Sequence, residues 1–274
     1  MINPSLELDS RSRQLRGYIV RALVGGNRGH LGSSMSLVEI LRVLFDHYLK
    51  YRAYEPKWSD RDRLILSKGH GCLALYALLA DKEFIPKEEL DIFCHTSGIL
   101  GGHPDANKVP GVEASTGALG HGMPIGVGLG LAGKIRVKNF RVVVVVGDGE
   151  INEGSNWEAA MSANKHCLSN LTVFVDYNKL QSYGSIREVL DLEPLIDKWI
   201  SFGFAVREVD GHDVSAIREC VDALPFESNK PSAVICHTIK GKGFPFAEGQ
   251  ADWHHKSRFS DEDIQKMSAA LGDI

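Results

Sequence analysis

No run in this 274-residue sequence is apolar for anything near the length that crosses a bilayer, and the opening MINPSLELDSRSRQLRG lacks the charged-then-apolar pattern of a secretion signal. Cysteine is sparse. Cys72, Cys94, Cys167, Cys220 and Cys236 are scattered, odd in number and form no CxxC pair, which argues against a disulfide framework or a zinc site and reads as reduced thiols. A cytoplasmic setting is expected, with no membrane. An excess of positive charge is missing too: 31 Lys+Arg face 35 Asp+Glu, a balance that argues against a nucleic-acid role, because phosphate backbones are held by basic surfaces. Repeats, low-complexity stretches and breaks in composition are also absent. The hydrophobic fraction of 43% is enough for a sizeable core, and the simplest organisation is a single domain over residues 1–274.

What is present is an alternation of two patterns. Residues 63–67, 141–146, 171–176, 205–209 and 233–238 are short, apolar, largely β-branched runs. Helical spacing appears in 36–50, 72–80, 157–167, 194–202 and 214–224. Ser36 and Glu39 have the spacing of a capping box, as do Ser260 and Asp263 before a last helix. Continuous apolar strands separated by helices predict an α/β fold: a parallel sheet with helices on both faces. Residues 93–110 and 241–259, rich in Gly, His, Pro and aromatics, break the alternation and are read as loops, the kind of place where function concentrates. The acid pairs Glu88-Glu89 and Asp261–Asp263 are read as solvated helix starts.

The stretch VVVVVGDGEINEG, residues 142–154, delivers a core strand into three acids: Asp148, Glu150 and Glu153. In a parallel sheet ligands bind beyond the carboxyl ends of the strands. The next strand ends in Asp176-Tyr177-Asn178-Lys179-Leu180, so both ends can converge on one site. An Asp, an Asn and a backbone carbonyl are hard oxygen ligands suited to Mg²⁺, which is usually completed by phosphate oxygens and water. Gly149 has no side chain to keep its backbone from a phosphate, and the following helix adds its positive end. An isolated GDG is an ordinary turn. An Asn 30 positions after Asp148, closing the next strand, makes it more than that.

GDG followed by about 30 residues and an Asn closing a second strand resembles the thiamine-diphosphate motif, and the chain from about Ser12 to Phe259 resembles the N-terminal, diphosphate-binding part of transketolases. The resemblance implies a thiamine-diphosphate-binding fold. It implies Asp148, Asn178 and the Leu180 carbonyl as ligands of Mg²⁺ (with Ca²⁺ or Mn²⁺ able to substitute), and Gly149 at the diphosphate. NRGHLGSS supplies His30, LSKGHG His70, GGHPD His103 and DWHH His254, all matching active-site histidines of the family. His30, His103 and His254 would bind the donor's hydroxyls and ease proton transfers, while His70, with His254, seats the cofactor. STGALGHG supplies Gly117 and Leu119 beside the thiazolium ring, and Glu153 and Glu158 match acidic positions at a subunit interface, Glu153 counting also among the cofactor contacts. His121 replaces the family's usual Gln. Lys240 and Lys242 are either solvated or near phosphate, and Lys240 stands where several transketolases have an apolar residue. Glu150 is read as a solvated loop residue and His255, which matches no motif, as merely exposed.

The sequence stops after the 260s helix, without the pyrimidine-binding and C-terminal domains of full-length family members. The expectation is a split transketolase, in which a C-terminal subunit supplies the pyrimidine-site glutamate and most sugar-phosphate contacts, assembled as α2β2. Its reaction would move a two-carbon ketol unit from a ketose or ketose phosphate to an aldose. The alternatives are a subunit of another thiamine-diphosphate enzyme, 1-deoxyxylulose-phosphate-synthase-like or 2-oxoacid-decarboxylating, or a non-catalytic scaffold subunit.

Overall fold

The valines at 142–146 are divided between two cores. In the computed structural model, which describes residues 7–272, all five are fully buried. Because side chains alternate along a strand, Val143 and Val145 pack with Phe174 and Val234 on one face, and Val142, Val144 and Val146 with Val173, Val175 and Ile235 on the other. A strand buried on both faces needs no polar side, which is why this one reads as a continuous apolar run.

Five parallel strands make the sheet: β1 (Arg63–Leu66), β2 (Val142–Gly147), β3 (Leu171–Tyr177), β4 (Ala205–Asp210) and β5 (Ser232–His237), in the order β1-β2-β3-β5-β4. Each lies within one residue of its predicted bounds. Helices Ser10–Gly26, Val38–Val43, Cys72–Asp81, Val214–Asp222 and Asp261–Leu271 pack on one face, and Gly122–Ile135, Gly154–Lys165 and Leu195–Ser201 on the other. The capping box at Ser260 and Asp263 is made in both directions, and Asp263 also pairs with Lys256 at 2.9 Å. The helix it starts ends at Leu271; Asp273 and Ile274 lie outside the described residues. All five cysteines are free, and among the described residues no helix is long and apolar enough to cross a membrane.

Three expectations need correction. Ser36 and Glu39 make no capping box, because the chain is already helical at Leu31–Met35 and no free helix start exists there. Ser36 instead donates to Asp176 at 2.7 Å, and buried Glu39 pairs with Arg16 (2.6 Å) and His212 (2.8 Å). The expected 36–50 helix is Val38–Val43 followed by a π-helical turn, Leu44–Tyr48. Glu89 is not simply solvated, since it accepts the Ile99 N–H at 3.0 Å and so ties down the 93–110 loop.

One helix, Gly122–Ile135, carries no clear sequence signal. It contains five glycines, which are poor helix formers. Packing explains one of them: a Cβ at Gly126 would lie 2.3 Å from Val144, so only glycine lets this helix rest directly on β2.

Candidate functional site

The carboxyl ends of β2, β3 and β5 open onto one cavity of about 240 Å³. Asp148, Gly149 and Glu150 reach it from β2, Asn178, Leu180 and Gln181 from β3, and Lys240 from β5. His30, His70, His254, Gly117 and Leu119 also line it, with Ser33, Lys68, Gly147 and Ser182. Of the cofactor and sugar contacts expected from the sequence, only His103 and Glu153 lie off it.

Asp148 caps the turn after β2. One carboxylate oxygen accepts the Gly149 N–H at 2.7 Å, and the other accepts the Lys179 N–H at 2.5 Å, binding the ends of β2 and β3 together. Burial, with Asp176 nearby, pushes this carboxyl up to about 7. Asn178 accepts the Leu180 N–H at 3.1 Å, and the Leu180 carbonyl accepts from Lys240 Nζ at 2.9 Å. Three oxygen-bearing groups therefore stand close together on two adjacent strand ends. Among the described residues no group of three or more His, Cys, Asp or Glu side chains is arranged to hold a metal. The set here, one carboxylate with an amide and a carbonyl, is instead of the hard-oxygen kind that leaves room for phosphate and water.

Lys240 is buried, and its Nζ also approaches the Gln181 carbonyl at 3.3 Å. Burial first, then repulsion from Lys68, brings its pKa down to about 8. Lys68, which the sequence reading passed over, is fully buried and bonded to Asp176, which also accepts from Thr238 and Ser36. Burial alone would raise the Asp176 pKa, but Lys68 and these donors hold it below the usual range.

Glu150 is not a solvated loop residue. It is buried and accepts from the Ser67 hydroxyl, the Gly120 N–H at 3.0 Å and the Gly147 N–H at 3.1 Å. An acid one turn past the strand curls back over it and locks the 117–120 loop to the end of β2. At Gly117 the backbone is left-handed (φ 145°), and a Cβ there would sit 3.0 Å from the His103 ring. Glu153 is exposed, away from the cavity and against Gly120; Glu158 is likewise exposed. Exposed His121 makes a ring-nitrogen contact of 3.0 Å to the Leu119 carbonyl.

The histidines form one cluster centred on His30. Its ring centroid lies 5.6 Å from His70, 6.3 Å from His103, 5.4 Å from His254 and 4.5 Å from His255. Burial, followed by His255 and the other imidazoles, lowers His30 to about 3. Burial and Lys240 do the same for His254, and burial with Lys68 carries His70 well below its ordinary value. These rings are neutral at physiological pH, each with one nitrogen to donate and one to accept.

Two buried atoms on the wall have no partner among the described residues: Gln181 Nε2 and His254 Nδ1. The Gln181 side chain lies over Gly149, where a Cβ would approach it to 3.1 Å. The His254 Nε2 contacts the Ser182 hydroxyl at 2.9 Å, which leaves Nδ1 unmatched. Unpaired buried polar atoms are costly, and a ligand with oxygen atoms satisfies them. A diphosphate with a divalent ion fits this wall: oxygen donors from Asp148, Asn178 and Leu180, a cation from Lys240, and unpaired nitrogens from Gln181 and His254. Sequence reasoning missed Gln181, Ser182 and Lys68, although each adjoins a motif.

The family profile described as the transketolase, thiamine diphosphate binding domain matches residues 11–273. The chain is 39% identical to one of the subunits of an apulose-4-phosphate transketolase from Phocaeicola vulgatus, over 92% of this chain and 88% of that protein. It is 38% identical to a 6-deoxy-6-sulfo-D-fructose transketolase subunit from a Clostridium species, over 93% of each. The solved transketolase of Leishmania mexicana superposes with a TM-score of 0.89 at 29% identity, covering 97% of this chain and 41% of that one. A Pichia stipitis transketolase in complex with sedoheptulose-7-phosphate gives 0.88 at 31% identity, covering 96% and 40%. The chain thus spans about two fifths of those solved enzymes, and nearly all of relatives named as subunits. It belongs to the transketolase family and carries that family's thiamine-diphosphate-binding domain.

Proposed function

We propose that this chain is the diphosphate-binding subunit of a two-subunit transketolase, working with thiamine diphosphate and Mg²⁺. The observation that carries the reading is the cavity at the ends of β2, β3 and β5, whose wall brings together oxygen donors and two unpartnered buried nitrogens. Asp148, Asn178 and the Leu180 carbonyl hold the metal. Gly149, His70 and Lys240 take the diphosphate, and Gly117 and Leu119 border the thiazolium ring. When bound, thiamine diphosphate supplies the nucleophilic carbon that accepts the two-carbon unit.

The chain's own residues bind and orient. His30, His103 and His254 hold the hydroxyls of a ketose donor. Neutral at working pH, they can accept a proton at one nitrogen while donating from the other, and His254 Nδ1 is free to do so. Burial keeps these rings from being locked as cations, so a proton can pass in either direction as the donor is cleaved and the acceptor joined.

A C-terminal subunit supplies the remaining half of the cofactor site, including the pyrimidine-side glutamate, in an α2β2 cytoplasmic assembly with Glu153 and Glu158 toward the partner. Relatives of nearly the same length named as subunits support the need for a partner subunit. The test mixes the purified chain with its partner, thiamine diphosphate and Mg²⁺, and follows ketol transfer from a ketose phosphate to an aldose. Activity is expected from the pair and none from either alone. Turnover by this chain alone overturns the split assembly, and a pair that decarboxylates pyruvate without transferring ketol units overturns the transketolase reaction.

A further inference from the structure

Lys256 and Gly29 form an antiparallel bridge, with N–H···O contacts of 2.9 and 3.1 Å in the two directions. It fixes the residue before Lys256 against the residue after Gly29, which are His255 and His30. Their rings are tilted by 49° with centroids 4.5 Å apart, the shortest spacing in the cluster. His30, His70 and His254 line the cavity, whereas His103 and His255 border His30 without lining it. His255 is exposed, and neither of its ring nitrogens has a hydrogen-bond partner among the described residues. An imidazole held by a backbone bridge, at the solvent side of a hydroxyl-binding cluster and with both nitrogens available, has the placement of a sugar contact.

We propose that His255 hydrogen-bonds the hydroxylated chain of the donor ketose, beyond the two carbons that are transferred, and so selects donors by chain length. The proposal rests on the transketolase reading above. The two-carbon unit must lie toward the cavity for transfer to the cofactor, so the rest of the donor leads away past His30, the side on which His103 and His255 stand. His30 then lies between the part of the sugar that reacts and the part that His255 recognises.

His255→Ala and His255→Gln, each in the full chain with its partner subunit, cofactor and Mg²⁺, provide the test. Two donors are compared: xylulose 5-phosphate, and hydroxypyruvate, which carries the same transferable unit and no hydroxylated chain. Loss of one hydrogen bond is expected to raise KM for xylulose 5-phosphate in His255→Ala about fivefold. The KM for hydroxypyruvate should move less than twofold, and His255→Gln, which keeps a donor and an acceptor, should recover most of the loss. The Kd of arabitol 5-phosphate, which has no carbonyl to react, should rise in step with the xylulose 5-phosphate KM. Equal KM rises for both donors, or a fall in kcat with both, would mean that His255 merely orients His30, and the proposal fails. It fails equally if neither donor is affected. A wild-type pair inactive with both donors brings down the transketolase reading itself.

Discussion

Two buried polar networks lie side by side in this protein, and they differ in being closed or open. The first is Arg16, Glu39 and His212. Arg16 donates to Glu39 at 2.6 and 3.1 Å, and to the Lys242, Met35 and Ser12 carbonyls at 2.9, 3.2 and 3.3 Å. His212 joins Glu39 at 2.8 Å and accepts the Ile239 N–H at 2.8 Å. Nothing is left over. The second network, the cavity wall, contains two of the four buried side-chain atoms without a partner among the described residues. A closed network fixes geometry, and an open one waits for a ligand. They meet at one place: the closed network grips Ile239, just before Lys240, and Lys242, two residues after it.

The sharpest way to break this contrast is Glu39→Ala. It strands the Arg16 charge in the core and should cost about 3–5 kcal/mol in urea unfolding. A loss under about 1 kcal/mol would show that the closed network is not what holds this region. Asp148→Ala attacks the open network instead. Activity of the reconstituted pair should fall at least about a hundredfold, with thiamine diphosphate and Mg²⁺ binding lost in calorimetry and a smaller stability change than for Glu39→Ala. Lys240→Ala sits where the networks join and should weaken thiamine diphosphate binding about tenfold; unchanged affinity would remove Lys240 from the cofactor site.

The mildest test is pH. His30 titrates at about 3 in the folded chain, against roughly 6.5 when unfolded, so between these values the unfolded state binds the extra proton. Its contribution to stability is present above about pH 6.5 and is lost as pH falls through this window. Thermal unfolding of the cofactor-free chain at pH 7 and pH 5 should show the loss. His30→Asn should remove a part on the order of 1 kcal/mol of it, discounted for the partial exposure of the ring. Identical pH slopes in the two proteins would contradict the assigned neutral state.

The same contrast explains what could be read from sequence. β2 and β3 were legible because strands covered on both faces leave uninterrupted apolar runs, and the residues just past them, Asp148 and Asn178, inherit their place from the strands. Closed-network residues were not legible. Ser36 and Glu39 have the spacing of a cap, and only tertiary partners 140 and 173 positions away reveal their other use. Glu150 failed for a related reason: two of its three donors are backbone N–H groups, which leave no mark in residue identity. Gln181 and Lys68 carry no periodic signal and become visible only when the cavity is assembled.

The bridge between Gly29 and Lys256 also bears on the order of assembly. It joins positions near opposite ends of the described chain, and His30 gains His254 and His255 as neighbours only through that closure. Contacts so distant in sequence form late, after the local helices and the sheet have taken shape. A partly folded or still-growing polypeptide therefore has the strand ends without the complete histidine cluster. After a single proteolytic cut between residues 249 and 253, that bridge and its side-chain neighbours would hold His254 and His255 beside His30.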